Sequence, residues 1–345
     1  VYKRQTKYCL KEVVINMKIA VDMMGSDLGP VELSSGVKTF LDKKQDVNLV
    51  LFGDASKLED FKDDPRVEIV NTTEIVPMEV SPLEFLRMKD SSMIQALKRA
   101  NMNQEIEGVV SAGSTGGFVT GATLILKNIP GVPRAGLTGP FPTKVKGKRT
   151  VVLDIGASNH NTGEELVCFA KLGYLYSKLI LENENPSVYL LSNGVEKGKG
   201  LEETTKADEL LTNMNFHGYM GRCEAREVLD GEHDVIVTTG YPGNILLKTI
   251  EGTAKMMGSL LKQAFKKNLS TKMGYLLAKS GIQDMMKTMD SKELGGAMLL
   301  GVNKVAVKAH GNSNGYAFYN ALNVAYKMIS SGLIPAIKKE MEDER

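Results

Sequence analysis

At 345 residues, with 42% hydrophobic and 24% charged side chains, the chain can bury one large or two modest cores, and its composition excludes disordered and fibrous classes. A formal net charge of +2 leaves no global footprint for nucleic acid, so a charged partner must be met by local segregation of charge. Cys9, Cys168 and Cys223 are too scattered for a disulfide framework or a metal cluster, which fits a reducing cytoplasm, and no apolar run reaches membrane-spanning length.

Residues 1–16 lack the apolar core of a signal peptide and read as an extension outside the fold. From Met17 onward, short β-branched runs alternate with helical patterns. The sequence predicts strand Lys18–Asp22, helix Val31–Lys44, strands Asn48–Phe52 and Val67–Val70, helix Ser91–Asn101 and strand Gly108–Ser111. It continues with strand Thr150–Ile155, helix Glu164–Glu182, strand Ser187–Leu191, helix Leu201–Met214, and strands Asp234–Thr238 and Val305–Ala309. Such alternation is the signature of βαβ units, an α/β fold whose mostly parallel sheet is covered on both faces. Residues 17–334 read as one domain with a cleft, and 335–345 as a charged C-terminal tail.

The unusual turns follow strands, where ligands of such sheets bind. They are Asp22–Pro30, Asp154–Asn161, Thr239–Asn244 and Lys308–Asn314, and together they suggest a single cleft. The strongest signal is Gly113-Ser-Thr-Gly-Gly117, between a buried strand and an apolar helix. Its amides and helix dipole suit an anion, most simply phosphate; an ordinary N-cap serine in a tight connection fits equally well. From Gly252 to Gln283 there is no acidic residue, while lysines including Lys262, Lys266, Lys267 and Lys272 recur beside a methionine- and leucine-rich stripe. This predicts a helical hairpin over about 251–290, turning near Asn268–Thr271. It serves either as a dimerisation element with a solvated basic face or as a dock for an acidic protein or anionic membrane.

His310 follows a strand between Lys308 and the amide side chain of Asn312, where an imidazole can move a proton at neutral pH; a turn histidine satisfied by backbone is the alternative. Asp22, Asp27 and Asp154 stand at strand ends, where a carboxylate can orient a histidine, hold a lysine or cap a helix. No metal-ligand spacing and no nucleotide-binding loop is present, so neither a metal nor a cofactor is expected. Ala112-Gly-Ser-Thr-Gly116, with Asp154 or Asp234 and then His310, also follows the order of a serine hydrolase built on Ser114, although no oxyanion motif precedes it. A non-catalytic membrane or carrier-protein adaptor is a third reading.

With these residues in hand, the chain resembles the bacterial phosphate acyltransferase family of phospholipid synthesis from about Met17 to Ser330. The resemblance rests on an ordered set: Asp22-Met-Met-Gly-Ser-Asp27, Asp90-Ser-Ser-Met93, Ser111-Ala-Gly-Ser-Thr-Gly116 and Asp154-Ile-Gly-Ala157, followed by Gly243-Asn244, Leu247-Lys-Thr-Ile-Glu-Gly252, Gly295-Gly296, Leu300-Gly-Val-Asn303 and Lys308-Ala-His-Gly-Asn-Ser-Asn314. The chain departs from the family at Ser26 (glycine), Ser114 and Ser158 (asparagine) and Thr239 (aspartate). The resemblance implies an α/β/α architecture like that of phosphotransacetylases and isopropylmalate dehydrogenases. It also implies attack of inorganic phosphate on a fatty acyl-acyl carrier protein, by a cytoplasmic homodimer peripherally attached to the membrane. The acyl phosphate then passes to a glycerol-3-phosphate acyltransferase. A phosphotransacetylase acting on acyl-coenzyme A is the nearest enzymatic alternative.

On this reading phosphate meets the amides of Thr115, Gly116 and Gly117 with Ser114 and Lys308, and Asp22 and Asp27 belong to the same binding region. Asn312 or Asn244 stabilises the oxyanion, His310 protonates the departing thiolate, and Asp154 orients His310. The acyl chain lies near the hairpin, whose lysines meet the acidic carrier.

Overall fold

The strands are built from residues that bury alternate side chains on opposite faces, as the two-residue period of a pleated strand requires. Ile19 and Val21, Val151 and Leu153, Val235 and Val237, and Val305 and Val307 enter one apolar cluster. Ala20, Val152, Ile236 and Ala306, each between two of these, enter the other. A computed structural model describes residues 17–196, 198–289 and 295–343; the expected extension 1–16 lies outside the described residues.

The strands are β1 (Met17–Asp22), β2 (Val47–Gly53), β3 (Val67–Asn71), β4 (Ile106–Ser111), β5 (Gly136–Pro142), β6 (Arg149–Leu153), β7 (Val188–Ser192), β8 (Tyr219–Glu224), β9 (Val235–Val237), β10 (Ala297–Leu300) and β11 (Val305–Lys308). The helices are α1 (Gly29–Lys43), α2 (Pro82–Arg87), α3 (Ser92–Met102), α4 (Thr115–Gly121), α5 (Gly163–Ile180), α6 (Glu202–Asn213), α7 (Gly240–Lys266), α8 (Leu269–Met289), α9 (Gly315–Ser330) and α10 (Leu333–Glu342). One mixed sheet runs β3-β2-β1-β4-β11-β10-β5-β6-β9-β7-β8. Helices α1, α5, α6, α9 and α10 bury residues in the first cluster, and α2, α3, α4 and part of α7 pack on the second, giving three layers.

Strand direction decides where the site lies. β3, β2, β1, β4 and β11 are parallel, as are β6, β9, β7 and β8. Between the two blocks β10 and β5 pair antiparallel to both neighbours and to each other. Three successive reversals turn the second block against the first. The carboxyl ends of β1, β4 and β11 therefore lie at one edge of the sheet, and those of β6 and β9 at the other. The polar turns expected to form a single cleft are divided accordingly: 22–30, 113–117 and 308–314 at one edge, 154–161 and 239–244 at the opposite one.

The helical hairpin is α7 packed against α8, with a turn at Lys267 and Asn268. There the Asn268 side chain accepts from the Thr271 amide at 2.9 Å, and the Thr271 hydroxyl accepts from the Asn268 amide at 3.1 Å. The segment 335–345, expected as a tail, is helical through Glu342; Leu333, Ile337 and Met341 recur at helical spacing and are buried.

At the first edge the turns after β1 and β4 touch backbone to backbone. A Cβ at Gly25 would stand 2.5 Å from the Gly113 Cα, so neither turn accommodates a side chain there. Gly25→Ala is expected to lower unfolding free energy by about 1–3 kcal/mol through forced displacement, read from the urea midpoint at unchanged slope. An unchanged midpoint would show that the two turns are free to separate.

Candidate active site

Asp22 ends β1 fully buried, and its carboxylate accepts from the Met24 amide (3.1 Å), the Ser92 hydroxyl (2.6 Å) and the Ser111 hydroxyl (2.7 Å). It thereby ties β1 to β4 and to the start of α3. Ser111 in turn pairs in register with Lys308 on β11, and the Ala309 amide donates to the Ser111 carbonyl at 2.9 Å. The Asp27 amide donates to the Gly311 carbonyl at 2.9 Å, closing the turn after β1 onto the turn after β11. The sequence-predicted residues Asp22, Asp27, Ser114, Thr115, Gly116, Gly117, Lys308, His310 and Asn312 therefore gather at three neighbouring strand ends.

Lys308 is 5% exposed, and its ammonium group donates to the Ala309 carbonyl. Burial pulls its pKa down to about 8, against the opposing pull of Asp22 and Asp27. After the neighbouring strand β4, the exposed Thr115 and Gly116 open α4. Amides of a first helical turn have no acceptor within their own helix, and a Cβ at Gly116 would meet open space. Gly117 is packed under Phe85, Val76 and Val80, so its amide is an inner one, donated to the Ser114 hydroxyl at 3.3 Å. That hydroxyl also donates to the Met78 carbonyl at 2.9 Å. Ser114 is thus a helix cap and the anchor of a strap running through Met78, which also approaches Gly311. Neither hydrogen bond of the Ser114 hydroxyl involves a histidine, so the structure forms no serine–histidine pair at this turn.

His310 and Asn312 are exposed on the wall of a cavity of about 880 Å³, facing Glu251 and Lys255 of α7 and Tyr275 and Met286 of α8. Neither residues 113–117 nor Lys308 line this cavity. Desolvation holds the His310 pKa below its ordinary value, opposed by the Glu251 carboxylate and reinforced by the Lys308 and Lys248 cations.

Asp154 does not orient His310. Its buried carboxylate accepts from the amides of Leu137 (3.0 Å), Gly156 (2.9 Å), Ala157 (2.9 Å) and Ser158 (3.0 Å) and from the Ser158 hydroxyl (2.8 Å). All five donors belong to the opposite edge, so every acceptor site is committed to shaping that turn. Desolvation nonetheless raises its pKa above the usual carboxylate value. Asn244 lies there too, beside Gly156 in the first turns of α7, as do Ser158 and Thr239. Among the family departures, only those at Ser26 and Ser114 fall at the His310 edge. Sequence reasoning missed Lys248 and Glu251, which approach His310 because α7 starts at the far edge and runs back across the sheet. The only signal was the Leu247–Gly252 stretch, which carried resemblance without a role.

Lys262, Lys266, Lys267 and Lys272 are exposed toward the hairpin tip. Three of them, Lys262, Lys266 and Lys272, rim an apolar groove of about 520 Å³ that shares Tyr275, Ile282 and Met286 with the His310 cavity. Leu269 and Leu277 beside them are 78% and 87% exposed. Among the described residues no group of acidic, histidine and cysteine side chains is arranged to hold a metal ion, and no helix is long and apolar enough to cross a membrane.

The backbone superposes on a phosphotransacetylase from Streptococcus pyogenes with a TM-score of 0.61, at 16% identity over 93% of this chain and 94% of that one. A branched-chain phosphotransacylase from Enterococcus faecalis gives 0.55, at 13% identity over 91% and 99%. At that identity the likeness speaks for the fold, which is the mixed α/β/α architecture of the phosphotransacylases. In sequence, the chain is 39% identical to the phosphate acyltransferase of Staphylococcus epidermidis over 310 residues, 90% of this chain and 94% of the relative. It is 38% identical to that of Lactococcus lactis subsp. cremoris over 333 residues, 95% and 99%. The chain belongs to the fatty acid synthesis protein family, whose family model matches residues 17–335, and within it to the phosphate acyltransferases, which are acyltransferase enzymes.

Two outcomes follow from the contrast between the edges. Asp154→Asn is expected to cost about 2–3 kcal/mol of unfolding free energy, since an amide cannot accept all five bonds, while turnover per folded molecule stays unchanged. A selective loss of turnover would restore Asp154 to the chemistry. Lys308 releases its proton at about 8, before the unfolded chain does, so its contribution to stability improves from pH 8 toward about 10. Anion affinity is expected to fall over the same range as the positive charge is lost. Calorimetric phosphate titration across pH 7–10 checks this, and a flat profile would remove Lys308 from anion binding.

Proposed function

We propose that this edge of the sheet transfers the acyl group of a fatty acyl-acyl carrier protein to inorganic phosphate, giving acyl phosphate and free carrier protein. The observation that carries the reading is the register of β4 and β11, which sets a helix N-terminus and a buried lysine at the strand end that also bears the cavity-facing His310. Phosphate is an anion at neutral pH, so the site need not create a nucleophile; it must strip water from one and aim it. The exposed Thr115 and Gly116 at the start of α4 and the Lys308 ammonium supply compensating positive charge, and the Asp22 and Asp27 carboxylates favour the charged form of that lysine.

A phosphate oxygen attacks the thioester carbonyl carbon, and the carbonyl oxygen gains negative charge that the Asn312 amide stabilises. Collapse of the intermediate breaks the carbon–sulfur bond and leaves acyl phosphate. Because its pKa is held down, His310 is chiefly neutral at pH 7. It can take the proton of the attacking phosphate and return it to the departing phosphopantetheine sulfur. Asn244, at the opposite edge, takes no part in this scheme.

The remaining features fit the same reading. The hairpin lysines Lys262, Lys266, Lys267 and Lys272 suit an acidic carrier or an anionic membrane surface, and the exposed apolar side chains beside them suit a homodimer contact. A cytoplasmic enzyme held peripherally at the membrane would deliver acyl phosphate to a membrane glycerol-3-phosphate acyltransferase, committing the acyl chain to phospholipid synthesis. The shared fold favours one second reading, phosphotransacylation of acyl-coenzyme A; relative kcat/KM on matched carrier and coenzyme A thioesters separates the two.

The test is phosphate-dependent thiol release from a long-chain acyl-carrier thioester. His310→Ala is expected to lower kcat by roughly 100-fold or more without moving the thermal midpoint. Release that proceeds without phosphate, or an unimpaired variant, would overturn the assignment.

A further inference from the structure

A second cavity, of about 730 Å³, lies beside the His310 cavity and shares Ala254, Asp284 and Lys287 with it. Its floor belongs to the body of the protein, where the half-buried Leu229 and Ile250 pack on the second apolar cluster. The two loops that meet there are laced together. The Lys144 amide donates to the Leu229 carbonyl at 2.8 Å, and the Lys144 ammonium pairs with Asp230 at 2.9 Å. Thr253 and Ala254 of α7 and Met285 and Thr288 of α8 form the walls. Polar atoms of this lining are spent locally: the Thr143 hydroxyl donates to the Lys148 carbonyl at 3.0 Å, and the Thr288 hydroxyl to the Asp284 carbonyl at 3.0 Å. Lys146 and Lys287 are exposed, so their stems can lie along apolar surface while their charges stay in water. What the groove offers a ligand is chiefly hydrocarbon, on a floor already fixed by the fold.

We propose that this groove takes the hydrocarbon chain of the acyl group, which enters past Ala254, and that Thr253 and Ala254 set how much of the chain is held. The assignment rests on the acyl-transfer reading above. A fatty acyl thioester leaves its reacting carbon in two directions, one toward the carrier protein and the other along an alkyl chain. The His310 cavity adjoins an apolar groove on each of two sides. One is rimmed by Lys262, Lys266 and Lys272, which suits the acidic carrier and its pantetheine arm. The other, with its floor of Pro142, Leu229 and Ile250, is left for the chain. Ala254, whose side chain is a single methyl group, is the smallest of the three residues at that junction and leaves room for an alkyl chain to pass.

The experiment compares kcat/KM for phosphate-dependent thiol release from palmitoyl and butyryl thioesters of the carrier, using the full-length protein. Each methylene taken from water is worth about fourfold, so the wild-type protein favours palmitoyl. Ala254→Leu narrows the junction, and Thr253→Glu sets a carboxylate in the wall; leucine and glutamate are both good helix formers, so α7 is kept. Each variant is expected to lower the palmitoyl-to-butyryl ratio by roughly 100-fold, the loss of three or four methylenes from the groove. Leu276→Glu, in the lysine-rimmed groove, should leave that ratio in place. A ratio unchanged in Ala254→Leu and Thr253→Glu overturns the proposal, as does one that falls in Leu276→Glu instead. A change of sedimenting mass in Thr253→Glu at unchanged ratio would make the groove a contact between copies of the chain, and overturns it too. Titration with cis-parinaric acid, a fluorescent fatty acid, in the absence of phosphate is expected to show binding that both groove variants weaken roughly tenfold or more. If the wild-type protein releases no thiol on addition of phosphate, the acyl-transfer reading fails, while the parinarate titration still decides whether the groove holds an alkyl chain.

Discussion

Two antiparallel strands, β10 and β5, set the geometry on which everything else depends. Without them the sheet would be uniformly parallel and all its polar turns would face one way. With them the two parallel blocks are opposed. A residue that follows the second block can reach the first edge only on an element that crosses the sheet. Helix α7 fills that need: it starts beside Asp154, packs Leu246, Leu247 and Ile250 on the sheet, and reaches the other edge at Glu251.

The second constraint is electrostatic. A lysine with 5% exposure loses most of its hydration, and two carboxylates only partly offset the loss, so its proton is held weakly. That is a poor arrangement for stability, and the phosphate proposed above would relieve it by supplying the charge that the buried lysine lacks. The carboxylate at Asp22 is spent on bonds from Met24, Ser92 and Ser111, which fasten β1, β4 and α3 into one frame beneath the lysine. The cost in stability and the proposed capacity to bind thus arise from the same burial.

Much of this was legible in the sequence because it is written in periodicity. The strands with uninterrupted β-branched runs, the long amphipathic helices and the lysine-rich hairpin all carry strong local patterns, and the motifs that carry the family resemblance include Lys308, His310 and the 113–117 turn, which the structure sets at neighbouring strand ends. What escaped is non-local. β5 reads Gly-Leu-Thr-Gly-Pro-Phe-Pro, whose glycines and prolines hide a strand, and β10 is four residues long. Missing these two strands meant missing the reversal, and with it the fact that Asp154, Asn244 and Thr239 face away from His310. Lys248 and Glu251 were invisible for the same reason: a helix is read from its own pattern, and nothing in that pattern says which distant edge it reaches. At Ser114 the N-cap alternative is the one the structure takes, since the hydroxyl caps α4 and donates to the Met78 carbonyl.

The length of α7 has one more consequence. Its 27 residues form a single rod, about 40 Å long at 1.5 Å per residue. The base is clamped where a Cβ at Gly243 would collide with the Asp154 carbonyl at 1.8 Å, and the outer third stands clear of the sheet. Whatever grips the outer third holds the same stiff beam that carries Glu251 into the cavity. Leverage on the projecting end is thus transmitted along continuous helix to the wall that faces His310, with no hinge or loop in between to absorb it.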